Sequence, residues 1–370
     1  MRALTLLLII LLFTGGCSRE QGDIKFGIIG VLSGRYSEVG VASRNGAELA
    51  IDNINAAGGI NGRRISVVSL DDKNDKKTVA EAFETHIKSG TTFIIGPNIS
   101  HLADETLHFA APGNILIISP TLSADKLDGI DDYFFRVIST TSYEGMALSE
   151  KAKKMGLKKA AVVFDSSNAE YADPIYRTFR NNFEKDGYGK IVYVNQVQSG
   201  IRENFLEMSQ NIKESGADTL LILTSAIDAA YIAQQIRKSD KSIQLFAARW
   251  AKTLDIISQG GSAVEGMIFT SMYTPAKRTE KYIKFADEYH EKYNTMPSFV
   301  AAYAYETVMV LADAIKKAGT TDIAKVKEAI ITTGVFKGLE EDILINKYGD
   351  ADRKSSLVKI HNGVFEVIDD

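Results

Sequence analysis

Short runs of aliphatic and β-branched residues alternate with amphipathic segments along this 370-residue chain, and that alternation constrains the fold more than any other feature. Lys25 to Ile29, Ile65 to Leu70, Thr92 to Ile95, Ile115 to Ile118, Ala160 to Phe164, Ile191 to Val194 and Thr219 to Leu223 read as buried parallel strands. Between them, Ala42 to Ala57, Thr78 to Lys88, Ala147 to Met155, Pro174 to Lys185 and Ala229 to Lys238 carry helical periodicity. Strand, helix and strand repeated in this order predict a doubly wound α/β architecture, and the length calls for more than one core.

Punctuation between the elements agrees. Asn55-Ala56-Ala57-Gly58-Gly59 ends the first helix with glycines able to take a left-handed cap, and Asn61-Gly62 turns the chain into the next strand. Asp71, Asp72, Asn74 and Asp75 lack the Gly and distal Glu of a calcium loop, so this stretch reads as a solvated turn. His101 and His108 fall on one helical segment without a third ligand at matching spacing. No metal site is expected, and no cofactor. The single Cys excludes an internal disulfide and any cysteine-based zinc or iron–sulfur site.

That residue, Cys17, has distinctive surroundings. Arg2 is followed by the apolar run Leu4 to Phe13 and then by Thr14-Gly15-Gly16-Cys17, which resembles a bacterial lipoprotein signal. The run is about half of the ~20 residues that a membrane-spanning helix needs. The resemblance implies removal of residues 1–16, a lipidated Cys17 and a mature chain that is exported. It would be held by its lipid in the cell envelope, in the periplasm or on the outer face of the cytoplasmic membrane. With 43 Lys and Arg against 47 Asp and Glu, and no dense basic stretch, nucleic acid is not an expected partner.

Motifs of catalysis are missing. The chain has no G-x-S-x-G, no G-x-x-x-x-G-K-[ST], no H-E-x-x-H, and no G-x-G-x-x-G after its first strand. Export, a doubly wound pattern and this absence together favour a binding protein over an enzyme, with its ligand in a crevice at the carboxyl ends of the strands.

Longer blocks carry a family resemblance. Asp23 to Gly34, Gly40, Asn45 to Ala50, Ile54 to Gly62 and Asp71-Asp72 are similar to the opening of the branched-chain amino-acid (Leu/Ile/Val) binding protein family. Ile95 to Ser100, Ile118-Ser119-Pro120, Phe134 to Val137, Ala302 to Glu306 and Tyr348-Gly349-Asp350 fall where that family has its own blocks. The resemblance implies a type I periplasmic binding protein, with two doubly wound Rossmann-like lobes joined by a three-crossing hinge. Residues 23–141 with 273–350 would form the first lobe and 142–272 with 351–370 the second. It further implies a monomeric solute receptor for an ABC importer, partnered by permease subunits. Ser139 to Ser142 lacks the apolar run of a strand, and Ser355 to Ile368 reads as a hairpin turning at Asn362-Gly363.

The same resemblance supplies a ligand site. Ser100, after a strand and a Gly-Pro turn, is expected at a helix start, where free N–H groups favour an anion, and matches the serine that holds the ligand carboxylate. Asn98 belongs to that block. Thr121 falls at a main-chain contact position, and Ser123 where a Thr serves carboxylate and ammonium. Asp165 and Asn168 to Asp173 resemble a segment whose Tyr, here Tyr171, packs on the ligand. Ser225 and Val39 stand where branched-chain binders place aromatics, while Tyr36, Tyr171, Phe299 and Trp250 could refill the space.

Arg249 is the sharpest departure, since it occupies the position of the carboxylate that pairs with a ligand ammonium. Unless Asp228 or Glu170 neutralises it, Arg249 favours a second anionic or electron-rich group, placing dicarboxylates, keto acids or acidic aromatics above neutral amino acids. An outward-facing Arg249 or an interlobe ion pair is the alternative. Two other functions stay open: a ligand sensor of the same fold, and an exported hydrolase using Ser33 or Ser100.

Overall fold

The computed structural model describes residues 22–201, 204–272, 279–353 and 356–368, so Cys17 and segment 1–16 lie outside the described residues. Strands β1 (Ile24–Gly30), β2 (Ile65–Asp71), β3 (Phe93–Ile95), β4 (Leu116–Ser119) and β5 (Phe134–Arg136) form a parallel sheet in the order β2-β1-β3-β4-β5. A second sheet holds β6 (Lys159–Asp165), β7 (Lys190–Val197), β8 (Thr219–Leu223), β9 (Gln244–Ala247) and β10 (Ile268–Ser271), all parallel. The short strands β11 (Val335–Lys337), β12 (Asp342–Ile345) and β13 (Ala351–Asp352) make a small antiparallel sheet. The hairpin β14 (Ser356–His361) and β15 (Val364–Ile368) then extends the second sheet, giving the order β15-β14-β10-β9-β8-β6-β7. Asn362, with φ 51°, and Gly363, with φ 72°, make its turn, the positive-φ pair that such two-residue connections require.

Eleven α-helices are described: α1 (Ser37–Ala56), α2 (Lys76–Lys88), α3 (Ala103–Phe109), α4 (Ser142–Lys154), α5 (Ala169–Phe183), α6 (Phe205–Glu214), α7 (Ala226–Ser239), α8 (Leu254–Gly260), α9 (Glu280–Tyr293), α10 (Phe299–Ala318) and α11 (Ile323–Thr333). Several begin earlier than the periodicity predicts. The polar first turns of α1 and α4 carry no apolar stripe, yet tertiary packing keeps them helical. Strands β2 and β7 are edges with half-exposed side chains, correcting the expectation that all seven runs are buried. Asp72 is likewise buried rather than solvated.

Each sheet has apolar residues on both faces, and the helices cover them. Phe26, Phe93, Leu116 and Ile118 meet Ala304, Val308 and Leu311 of α10 in the first core. Leu220, Ile222, Leu245 and Phe269 meet Ala229, Ile232 and Ile236 of α7 in the second. The close packing of α1 on α10 depends on Gly46, where a Cβ would lie 2.0 Å from the Ala301 carbonyl oxygen.

The chain crosses between the two parallel-stranded bodies three times: after Arg136, after Ser271 and between Asp352 and Ser356. Ser139 Oγ joins the first crossing to the third, accepting the Arg353 N–H at 2.7 Å and donating to the Arg353 carbonyl at 3.2 Å. The architecture is thus two Rossmann-like lobes on a three-crossing hinge. The fully buried Arg136 explains two separated sequence blocks at once, because its guanidinium meets Asp350 at 2.6 Å.

Candidate functional site

Carboxyl ends of parallel strands are where a doubly wound sheet can host a ligand, and here the ends of both sheets face each other. A small cavity lies between them. From the first lobe it is lined by Val39 of α1, by Asn98, Ile99 and Ser100 after β3, and by Thr121 after β4. From the second lobe come Asn168 and Tyr171 after β6, and Arg249 and Trp250 after β9. Ile138 of the first crossing and Phe299 and Val300 of α10 complete the lining. Seven of the nine ligand contacts expected from sequence therefore meet in one place.

Ser100 opens a single 3-10 turn, Ser100–Leu102, that runs into the seven-residue α3. Its Oγ accepts the Ser123 N–H at 3.3 Å rather than capping its own helix, which leaves the hydroxyl proton uncommitted. Thr121 and Asn98 brace each other: Thr121 Oγ1 donates to the Asn98 carbonyl at 2.9 Å, and Asn98 Nδ2 donates back at 3.3 Å. Asn98 Oδ1 is buried without a partner. The amide fits there because Gly30, at the end of β1, has no side chain; a Cβ would lie 2.6 Å from Asn98 Oδ1.

Two expected contacts stand elsewhere. Ser123 is fully buried behind Ser100, its own Oγ unpartnered, and does not line the cavity. Ser225 caps α7, its Oγ accepting the Asp228 N–H at 3.3 Å, and lines a different, wider cavity with Arg35, Glu38 and Asp255. The chain after β8 turns straight into α7, so its cap faces the rim of the cleft. Ser33, the other serine weighed as a nucleophile, donates to Asp71 Oδ2 at 2.5 Å.

The second lobe brings aromatic surface. Trp250 packs its ring against Tyr36 at 5.6 Å and edge-on against Tyr171 at 5.5 Å, and its buried Nε1 reaches no acceptor. Tyr36 lies behind, donating to Asp165 Oδ2 at 2.9 Å across the lobes. Phe299 sits edge-on to Tyr303. Trp250 and Phe299 line the same cavity as Val39.

Arg249 faces this cleft, at its hinge end, and its partner is neither Asp228 nor Glu170. Asp228 holds the Ser199 hydroxyl at 2.6 Å, and Glu170 pairs with Lys126 at 3.0 Å. The partner is Glu144, in the first turn of α4 and invisible to motif reasoning: its Oε1 lies 2.9 Å from Arg249 Nη1. Arg249 also donates from Nη2 to the Ser139 carbonyl at 3.3 Å, touching the first crossing, and lies 3.6 Å from Met272 Sδ before the second. Tyr171 donates to Glu144 Oε1 at 2.9 Å. Burial, then the Glu144 carboxylate, push its phenol well above the ordinary range, so it remains a donor. No cluster of three or more metal-ligating side chains occurs among the described residues, and no described helix is long and apolar enough to cross a membrane.

Comparison with known proteins bears on the family and the fold. The family model for periplasmic binding proteins matches residues 23–363. A leucine-, isoleucine-, valine-, threonine-, and alanine-binding protein of Pseudomonas aeruginosa is 24% identical over 315 residues, 85% of this chain and 83% of its own. The branched-chain amino acid transporter substrate binding protein of Streptococcus pneumoniae, solved in complex with isoleucine, is similar at TM-score 0.85 and 26% identity, covering 94% of this chain and 99% of that one. A solute binding protein from R. palustris, solved with benzoate, shares the fold at TM-score 0.84 and 21% identity over 94% of this chain and 96% of its own. With a family match across both lobes and the hinge, this chain belongs to the type I periplasmic binding proteins of the branched-chain amino-acid family.

Proposed function

We propose that the protein is an exported, lipid-anchored solute receptor that closes on a small carboxylate-bearing molecule and delivers it to the permease of an ABC importer. The observation that carries this reading is the cavity in which Asn98, Ser100 and Thr121 of one lobe face Tyr171, Arg249 and Trp250 of the other. Hydroxyl and amide donors on the first side suit a carboxylate, and apolar and aromatic surface on the second suits the ligand body. Binding and lobe closure are then one event, because neither half of the site is complete alone.

The lobes in this reading are residues 23–141 with 273–350 and residues 142–272 with 351–370, rotating about the three crossings. Ser100, Thr121 and Asn98 hold the carboxylate, Tyr171, Phe299 and Val39 contact the body, and Ser123 supports Ser100 from behind. A thermal-shift panel of amino acids, keto acids, dicarboxylates and aromatic acids tests the proposal. A ligand at ~100 times its Kd adds about 2.7 kcal/mol. A hit whose shift is reduced by Ser100→Ala supports it, and a panel without any carboxylate hit contradicts it.

A further inference from the structure

Arg249 is the one residue of formal charge among the described residues lining the cavity, and that charge is already answered. Glu144 is fully buried and its two oxygens serve four donors. Oε1 takes Arg249 Nη1 and the Tyr171 hydroxyl, each at 2.9 Å. Oε2 takes the Arg249 backbone N–H at 2.9 Å and the Thr270 hydroxyl at 2.5 Å. A carboxylate so occupied cannot turn toward a ligand without stranding a buried guanidinium.

This bears on the ligand's charge. An ammonium entering the cavity would meet the like charge of Arg249 and otherwise neutral groups, since no carboxylate is among the described lining residues, and a desolvated cation without a counter-charge is strongly disfavoured. A second carboxylate would have to displace Glu144 from Arg249. The buried indole Nε1–H of Trp250 instead offers a donor to an uncharged oxygen.

Building on the carboxylate reading above, we infer that the ligand is a monoanion, a monocarboxylate without an ammonium group whose body carries a neutral acceptor such as a keto or hydroxyl oxygen. Glu144 sets this preference as a specificity-determining residue that acts through Arg249, not by touching the ligand. The expectation of a second anionic or electron-rich group is thereby narrowed to a neutral acceptor, because the second anion is the protein's own.

Calorimetry on the mature wild-type protein tests this with matched pairs: 4-methyl-2-oxopentanoate against leucine, and phenylpyruvate against phenylalanine. The keto acid should bind at least about tenfold more tightly in whichever pair binds, a difference of about 1.4 kcal/mol. An amino acid that binds as tightly as its keto acid overturns the inference. If Ser100→Ala weakens that amino acid, the carboxylate reading survives; if no carboxylate binds at all, both fall. In Glu144→Gln, a near-isostere that frees Arg249, the affinity for 2-oxoglutarate relative to 4-methyl-2-oxopentanoate should rise at least about tenfold. A folded Glu144→Gln protein with an unchanged ratio removes Glu144 as the determinant, while the wild-type pairs decide the ligand class without it.

Discussion

Glu144 and Arg249 meet at 2.9 Å with both side chains sealed from solvent, one on the first turn of α4 and the other after β9, 105 residues later in the chain. A buried pair of this kind adds little net stability over an apolar pair, yet losing one partner leaves the other charged and dry. Glu144→Ala should therefore cost about 3–5 kcal/mol in denaturant unfolding. Glu144→Leu combined with Arg249→Met should cost much less than the two single changes added together. Simple additivity in that double-mutant cycle would show that the pair does not act as a unit.

Ser100→Ala should weaken carboxylate binding by about 1.5–3 kcal/mol, the range for a hydrogen bond to a charged group. Fold stability should change little, because Ser100 Oγ caps no helix and accepts one long bond from Ser123. Parallel calorimetry and thermal unfolding separate the two effects. Unchanged affinity with lowered stability would make Ser100 purely structural.

Cys17→Ser should release the protein from membranes into the soluble exported fraction, if the segment before it is a lipoprotein signal. Intact-mass measurement of wild type should give a chain beginning at a lipid-modified Cys17. An unmodified start at another residue would contradict the anchor.

Glu38 on α1 and Asp255 on α8 face each other at the cleft rim, near Arg35 and Asp228, and Glu38 Oε2 reaches no donor. Burial, followed by the hydrogen bond and charge of Asp255, raises the Glu38 carboxyl from an ordinary 4.5 to about 9. The folded form thus keeps a proton that the unfolded chain gives up above its lower value. The favourable contribution is full below that value and is lost as pH rises toward the folded-state value. Glu38→Gln removes the titration, so the thermal midpoint of the variant relative to wild type should climb from about pH 5 to about pH 9. A constant difference across that range would mean that Glu38 ionises freely in the folded protein.

Much of the fold was legible because periodicity and strand composition agree, as at Ile24–Gly30 and Thr219–Leu223, where both faces are buried. Strands β9 and β10 are four residues each and gave no comparable pattern. At the cavity, Ser100 was legible from its place after a strand and a Gly-Pro turn, while Thr121 and Arg249 were named only through the family resemblance. Glu144 was not, since nothing in Thr141-Ser142-Tyr143-Glu144 marks a carboxylate that packing brings against Thr270 and Arg249. Ser225 shows the converse: it directly follows a strand, but its helix turns it to the rim.

The central claim is that a carboxylate is held between the loops after β3 and β4 while the second lobe closes on the rest of the molecule. A crystal structure of the protein with its tightest thermal-shift hit tests this most directly. The account predicts a carboxylate within about 3 Å of Ser100 Oγ and Thr121, with the ligand body against Tyr171 and Trp250. A ligand seated instead in the rim cavity of Arg35, Asp228 and Asp255, or one whose carboxylate displaces Glu144 from Arg249, would contradict it.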